Sequence, residues 1–351
     1  MLFYTIPYLF VLLLSSAFYK LKKIDVPNPI VLFLMLLPAT LVSLLRGDVG
    51  IDTLNYLGYF KDLRSGNEAL QAHEPGFELL SRIIDLLGFN ERVNIALISF
   101  LTICLLCNSF SKTKNQLLLF SWVVFPLYFV DMTMNGLRYG LAFAIASNAV
   151  DALYRKKNFK ALLIGLVAIS MQYSVALLVF PFLMFNANKK FAIFLAIGLA
   201  IIASGIFAFS PLILTYLYDK QDAYKDLLAP AVTSGLVPLI FFIVLFSSFI
   251  LLSRRKEVSY LLYVFLVLEI ISFGIAKITY AGLRLQTLFV FALLIYIKQH
   301  FHLIEKRRIF LYILFSVGIL SFLILWKNLT AEIEDVQAPM IPYKFFWKTN
   351  N

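Results

Sequence analysis

Charge is scarce in this chain. Charged side chains make up 15% of its 351 residues, against roughly 25% in a soluble domain. Hydrophobic residues make up 61%, and the mean hydropathy is +0.85. A chain so poor in charge needs lipid as its solvent. Cysteine is scarcer still. Cys104 and Cys107 stand in a C-x-x-C spacing inside an apolar run. Redox or zinc chemistry there would need water access and, for zinc, more ligands, so the pair reads as packing. P-loops, glycine-rich nucleotide fingerprints, metal-ligand clusters and nucleophile elbows are all missing. Their absence argues against ATP-driven transport and serine-hydrolase chemistry, and no cofactor is expected. The net charge of +11 does not point to nucleic acid, because the lysines and arginines fall in short clusters between apolar runs, as membrane orientation requires.

What is there is a series of about 12 apolar segments, given that roughly 18–20 apolar residues cross a bilayer. They cover residues 2–19, 28–45, 93–110, 116–130, 136–153, 160–171, 174–186, 191–209, 233–252, 258–275, 284–297 and 309–326. The first lacks a basic leader region and reads as a retained helix. The expected fold is an all-α polytopic membrane protein, with residues 1–351 forming a single transmembrane domain. Placing every basic cluster on the cytoplasmic side predicts N-out/C-out topology. It also requires a short helical hairpin at 160–186, because a single crossing there would send the later clusters outside. On this topology the inner side holds 18 Lys/Arg and four Asp/Glu, and the outer side 13 and 15, with Glu269 left in a helix. The water-facing parts are then outside: a large loop at 46–92 with short interfacial helices, a second loop at 219–232, and a tail at 327–351. In the large loop, one helix is predicted from Asp52 to Arg64, with Asp52 as N-cap. Another starts at Pro75, a residue suited to the first helical position.

Four outer constellations can carry chemistry. Arg46, Asp48 and Asp52, with two glycines, read either as an anionic-substrate site with a nearby base or as a charged turn ending a helix. Asn135 and Arg138 share one helix face. An arginine at membrane depth is a site hypothesis by default and suits bidentate phosphate contact; the alternative is snorkelling to the interface. Gly136, Gly140 and Ala144 read as close helix packing. Lys277 and Arg284 flank a third outer turn, and Glu269, about two turns below, is the expected partner of Lys277. His73 and Glu74 form the fourth, a pair able to shuttle protons or simply to stay solvated. His73 is the only outward histidine, since His300 and His302 fall in a predicted cytoplasmic loop.

Taken in order, these features resemble the EpsG/Wzy-type polysaccharide polymerase family. The matching residues are Arg46, Gly50, Asp52 and Tyr56; then Glu74-Pro75-Gly76-Phe77; then Asn135 and Arg138, followed by the basic cluster at Arg155, Lys156 and Lys157; then the hairpin; and finally Arg284 and Pro342-Tyr343. One position departs: Gln172 stands at the hairpin tip where the family has histidine, so a histidine base is not carried over. The resemblance implies a GT-C-like enzyme of the bacterial inner membrane with a periplasmic active side. It would join undecaprenyl-diphosphate-linked oligosaccharide repeat units, in O-antigen or capsule synthesis, and would work with a chain-length regulator and membrane lipids but no nucleic acid. Asp52, Glu74, Arg138 and Arg284 are then the expected catalytic groups, with Arg46 as a third arginine for the diphosphate. Arg46, Asp48, Tyr56, His73, Asn135, Gln172, Tyr173 and Lys277 are the expected substrate contacts. A flippase or exporter of lipid-linked oligosaccharide, or a membrane O-acyltransferase, is the alternative. A transporter should carry charges deep in the bundle, and an acyltransferase often wants a histidine in its membrane-facing site.

Overall fold

The computed structural model describes residues 1–20, 28–65, 74–186, 233–254, 259–330 and 340–348. Among them the regular structure is helical, apart from two isolated bridges. The helices are α1 (Leu2–Lys20), α2 (Pro29–Leu44), α3 (Thr53–Ser65), α4 (Pro75–Asp85), α5 (Glu91–Phe110) and α6 (Lys114–Leu119). A π-helical stretch follows at Phe120–Phe129 and Asp131–Asn135. After it come α7 (Leu137–Tyr154), α8 (Asn158–Met171), α9 (Ala176–Asn186), α10 (Leu236–Leu252), α11 (Leu261–Ile275), α12 (Tyr280–His300) and α13 (Arg307–Thr330). Every expected apolar segment is helical except 191–209, which lies outside the described residues, as does the predicted loop at 219–232. α1, α5, α13 and α12 with its short extension to Leu303 are long and apolar enough to cross a membrane. Large apolar side chains such as Leu13, Leu163, Ile240, Ile270, Tyr312 and Leu323 stand exposed on the helix surfaces. A water-soluble bundle would turn polar faces outward; these helices make a membrane protein.

Helix ends follow local chemistry. Asn28, Asn90, Thr113 and Thr279 each accept a backbone N–H at a helix start, meeting donors that the helix itself cannot. The large-loop helices fall where expected, at Thr53–Ser65 and Pro75–Asp85. The described hydrogen bond of the Asp52 carboxylate, however, is to the Asn55 side chain at 3.5 Å. The predicted hairpin is present as α8 and α9, joined by a tight turn at Tyr173–Val175.

Two polar expectations change. Glu269 does not pair with Lys277. Gly282 packs so closely on Ala276 that a Cβ would sit 2.1 Å from the Ala276 nitrogen. α12 therefore folds straight back along α11, and Gln286 donates to Glu269 at 2.9 Å. Lys277, beyond the end of α11, donates instead to the Ser234 carbonyl at 2.7 Å. His300, expected in a loop, closes α12 and stacks on Tyr296 at 4.1 Å.

At one end of the bundle, α5, α7 and α12 meet around a buried ion cluster. Lys298, fully buried, pairs with Asp151 at 2.8 Å and donates to Ser109 Oγ at 2.6 Å and Ser147 Oγ at 3.1 Å. Asp151 also receives Lys112, Gln299 and Ser109. At the opposite end, the start of α1 meets residues 340–348: the Tyr4 hydroxyl donates to the Met340 carbonyl at 2.9 Å, and Tyr343 donates to the Val42 carbonyl at 2.7 Å. That second end holds the expected site.

Candidate functional site

The site begins where α2 stops. Residues 45–47 run antiparallel to 344–346: Gly47 N–H donates to the Lys344 carbonyl at 2.8 Å, and Phe346 N–H to the Leu45 carbonyl at 3.1 Å. This late segment straps the Arg46 loop onto the bundle. Gly50, at φ +108°, then turns the loop back. An L side chain there would be strained, and a Cβ would crowd the Met134 carbonyl at 2.9 Å. Asn135 pins the turn by accepting Ile51 N–H at 3.1 Å and donating to Asp131 at 3.2 Å.

The π-helical stretch explains how Arg46 is held. Wide π turns free carbonyls from the regular ladder, and such bulges recur at functional sites. Here the Thr133 carbonyl accepts from Ser43 at 3.0 Å, from Ser99 at 2.8 Å and from Arg46 Nη1. Arg46 is 5% exposed, and its Nε and Nη2 have no hydrogen-bond partner. Burial pulls its pKa down to about 10, still well above neutrality, so it is a buried cation.

Glu74 reaches the same end through Gly76. A Cβ on Gly76 would lie 2.1 Å from Ser170 Oγ and 2.8 Å from the Ser170 carbonyl carbon, so only glycine lets α4 start flush against α8. This seats Glu74 beside Arg138, the second residue of α7, in an ion pair of 2.7 Å with side chains 4% and 16% exposed. The contact is close but not an aligned hydrogen bond, and Glu74 Oε2 has no hydrogen-bond partner. Tyr56, on α3, accepts the Arg138 backbone N–H at 3.4 Å.

Asp52 lies within the same electrostatic neighbourhood. Burial raises its pKa, and Arg284 does most to offset that; Asp131 raises it further, while Asn55 and Arg138 lower it. Four of the expected groups, Asp52, Tyr56, Arg138 and Arg284, thus share one field, and Glu74 joins through its ion pair. Asp131 and Tyr139 belong with them, their side chains hydrogen-bonded to each other. Neither residue stood out in the sequence. Gly136 is the available signal, since a Cβ there would overlap the Tyr139 ring. It makes room for Tyr139 rather than for a neighbouring helix; Gly140 does pack closely, against Met132.

The remaining expected contacts divide. Asp48 pairs with Arg92 at 2.9 Å. Gln172 donates to Ser174 at 3.4 Å within its own turn. Tyr173 is half exposed and feels the Glu74 charge. Lys277 is engaged at Ser234 and lies 4.3 Å over the Phe273 ring. His73 lies outside the described residues. Among the described residues no cluster of His, Cys, Asp or Glu is arranged to hold a metal, and Cys104 and Cys107 are free thiols.

The EpsG family model matches residues 29–345. No curated protein and no solved structure matches the chain. The match runs from the start of α2 into the strap and takes in the charged site residues described above. The chain belongs to the EpsG family, and that membership points to a polymerase-type role in polysaccharide synthesis.

Proposed function

We propose that this EpsG-family protein polymerises lipid-linked oligosaccharide repeat units on the extracytoplasmic face of the bacterial inner membrane. The observation that carries the reading is the meeting of two carboxylates and two guanidinium groups at one end of an otherwise apolar bundle. The growing chain rides on undecaprenyl diphosphate. A hydroxyl of the incoming unit attacks the chain's anomeric carbon. The bond from that carbon to the phosphate oxygen breaks, and its electron pair leaves with the lipid diphosphate. The donor's own diphosphate activates the bond, so no nucleotide is needed.

Asp52 takes the hydroxyl proton. Its raised pKa suits it to that work more than an ordinary aspartate, and the neighbouring arginines keep it available as the anion. Arg138 and Arg284 stabilise the charge growing on the departing diphosphate; guanidinium forks match phosphate oxygens, and fixed charges in a water-poor site act strongly. Glu74 holds Arg138 in place and is the second candidate for the base. Tyr173 and Gln172 lie at the hairpin tip, within reach of sugar.

In this reading the fold is GT-C-like, and both chain ends face outward. The meeting of α1's start, the Arg46 loop and residues 340–348 at one end supports that topology. The clustered inner charges weigh against a flippase, which would need polar groups lining a path through the bundle; here Lys298 and Asp151 close on each other.

The test is complementation in cells lacking the native gene. Arg138→Ala that inserts at normal levels should make single repeat units but no polysaccharide ladder. A normal ladder would sink the diphosphate role. Asp52→Asn that still polymerises would remove Asp52 as the base.

A further inference from the structure

Glu269 and Gln286 are wholly buried where α12 folds back along α11. Two acceptors set the orientation of the Gln286 amide: its nitrogen donates to the Gly235 carbonyl at 3.0 Å and to Glu269 Oε1 at 2.9 Å. Two oxygens are then left over. Glu269 Oε2 and Gln286 Oε1 are both buried without a hydrogen-bond partner. An ionised Glu269 would rest on one neutral amide, and a buried charge so poorly supported is very costly. The adjoining helices α9 and α10 carry no titratable side chain. Tyr128, which feels the Glu269 charge from the π-helical stretch, gives its hydroxyl to the Thr287 carbonyl at 3.0 Å. One proton on Glu269 Oε2 removes the charge and both orphans together. The acid O–H then donates to Gln286 Oε1 while the amide N–H donates to Glu269 Oε1, so that acid and amide use each other's donor and acceptor in a ring.

We propose that Glu269 is held as the neutral acid, and that its pairing with Gln286 is a clasp that fixes the rotation of α12 and so presents Arg284 to Asp52. Gly282 and Gln286 are four residues apart on one face of α12. The first packs on the Ala276 backbone, and the second closes the clasp. Arg284 lies midway between them, about 200° round the helix from each. Its charge acts on Asp52. Two contacts on one face thus aim the arginine on the other. Glu269 touches no reacting atom; it is a positioning residue. Only the activity readout of the clasp rests on the polymerase reading above.

Infrared difference spectra of the purified protein in nanodiscs, wild type minus Glu269→Gln at neutral pH, test the proton. The carbonyl stretch of a protonated carboxylic acid should appear in the wild type, shift in heavy water, and be missing from the variant. Carboxylate bands in its place would overturn the neutral acid. The clasp is tested by substitution. Glu269→Gln keeps the shape and both hydrogen bonds, its amide donating where the acid did. It should melt and polymerise as the wild type does. Glu269→Leu, compared at equal membrane levels, should melt lower and polymerise about tenfold more slowly, the scale of one buried hydrogen bond. Equal rates from all three proteins would overturn the positioning of Arg284. A rate lost as fully in Glu269→Gln as in Glu269→Leu would show that the carboxyl itself is needed, and would overturn the clasp. A normal ladder from Arg138→Ala would overturn the polymerase reading alone; the infrared band and the melting temperatures would still decide the clasp.

Discussion

The bundle buries charge at both ends, and the two ends treat it differently. Along α12, Arg284 and Lys298 lie about 21 Å apart at 1.5 Å per residue. At the Lys298 end each charge is answered: Lys298 meets Asp151 and two serine hydroxyls, and Asp151 in turn takes Lys112 and Gln299. At the Arg284 end, Glu74 meets Arg138 at 2.7 Å, but Arg46 keeps two buried nitrogens without hydrogen bonds. A closed network locks helices together. An open one leaves donors and acceptors for a ligand to meet. Both are buried ion clusters, and they differ in how fully their polar atoms are satisfied.

The sharpest way to break this contrast is Asp151→Ala. It leaves Lys298 buried beside Lys112, and removing one partner of a buried pair costs about 3–5 kcal/mol. Thermal unfolding of the purified protein should fall steeply, and replacing both members, Asp151→Leu with Lys298→Met, should recover most of the loss. An unchanged melting temperature in Asp151→Ala would erase the distinction. Arg46→Met should act with the opposite sign. It removes unsatisfied buried donors, each worth about 1–3 kcal/mol, so the protein should melt higher while polymer output falls. A variant that melts lower would show that Arg46 is structural.

A pH profile separates the ends further. Burial holds the Asp52 pKa above its unfolded value, so its stabilising contribution is complete below the unfolded pKa and is lost as pH rises through the folded one. As the proposed base, Asp52 would act in its ionised form, so activity and stability should move oppositely with pH at this residue. Arg284→Gln removes the largest charge lowering that pKa, and the acidic limb of the residual coupling rate should move to higher pH. An unmoved limb would take Asp52 out of the titration. The smallest effect belongs to the strap: Tyr343→Phe deletes one hydrogen bond to Val42, worth about 1 kcal/mol, and should lower the melting temperature slightly.

The charges at the ends of apolar runs were readable because an ionised side chain there is rare and conspicuous. Arg46, Arg138 and Arg284 stood out on that ground, Asp52 and Glu74 as carboxylates in the large polar loop, and the hairpin followed from keeping basic clusters on one side. Other features leave no such mark. A π turn has nearly the composition of an α turn, and Pro126 alone hints at it, so the Thr133 carbonyl that seats Arg46 was invisible. Lys298 reads as one more positive-inside lysine; its burial depends on Asp151 and the serines arriving from other helices. Glu269 was matched with Lys277 by proximity along the chain, whereas the Gly282 contact brings Gln286 to it across the α11–α12 turn.

The strap also bears on the order of biosynthesis. Residues 45–47 enter the membrane early, and residues 344–346, which pair with them, are made late. Between the two, the intervening helices must insert in the right order for the edges to meet. Pairing at Arg46 and Phe345 therefore depends on every helix between them being in place. Protease protection of the late segment in pulse-labelled membranes should appear only after the earlier helices are in place, and a misthreaded chain should leave residues 344–346 open to cleavage.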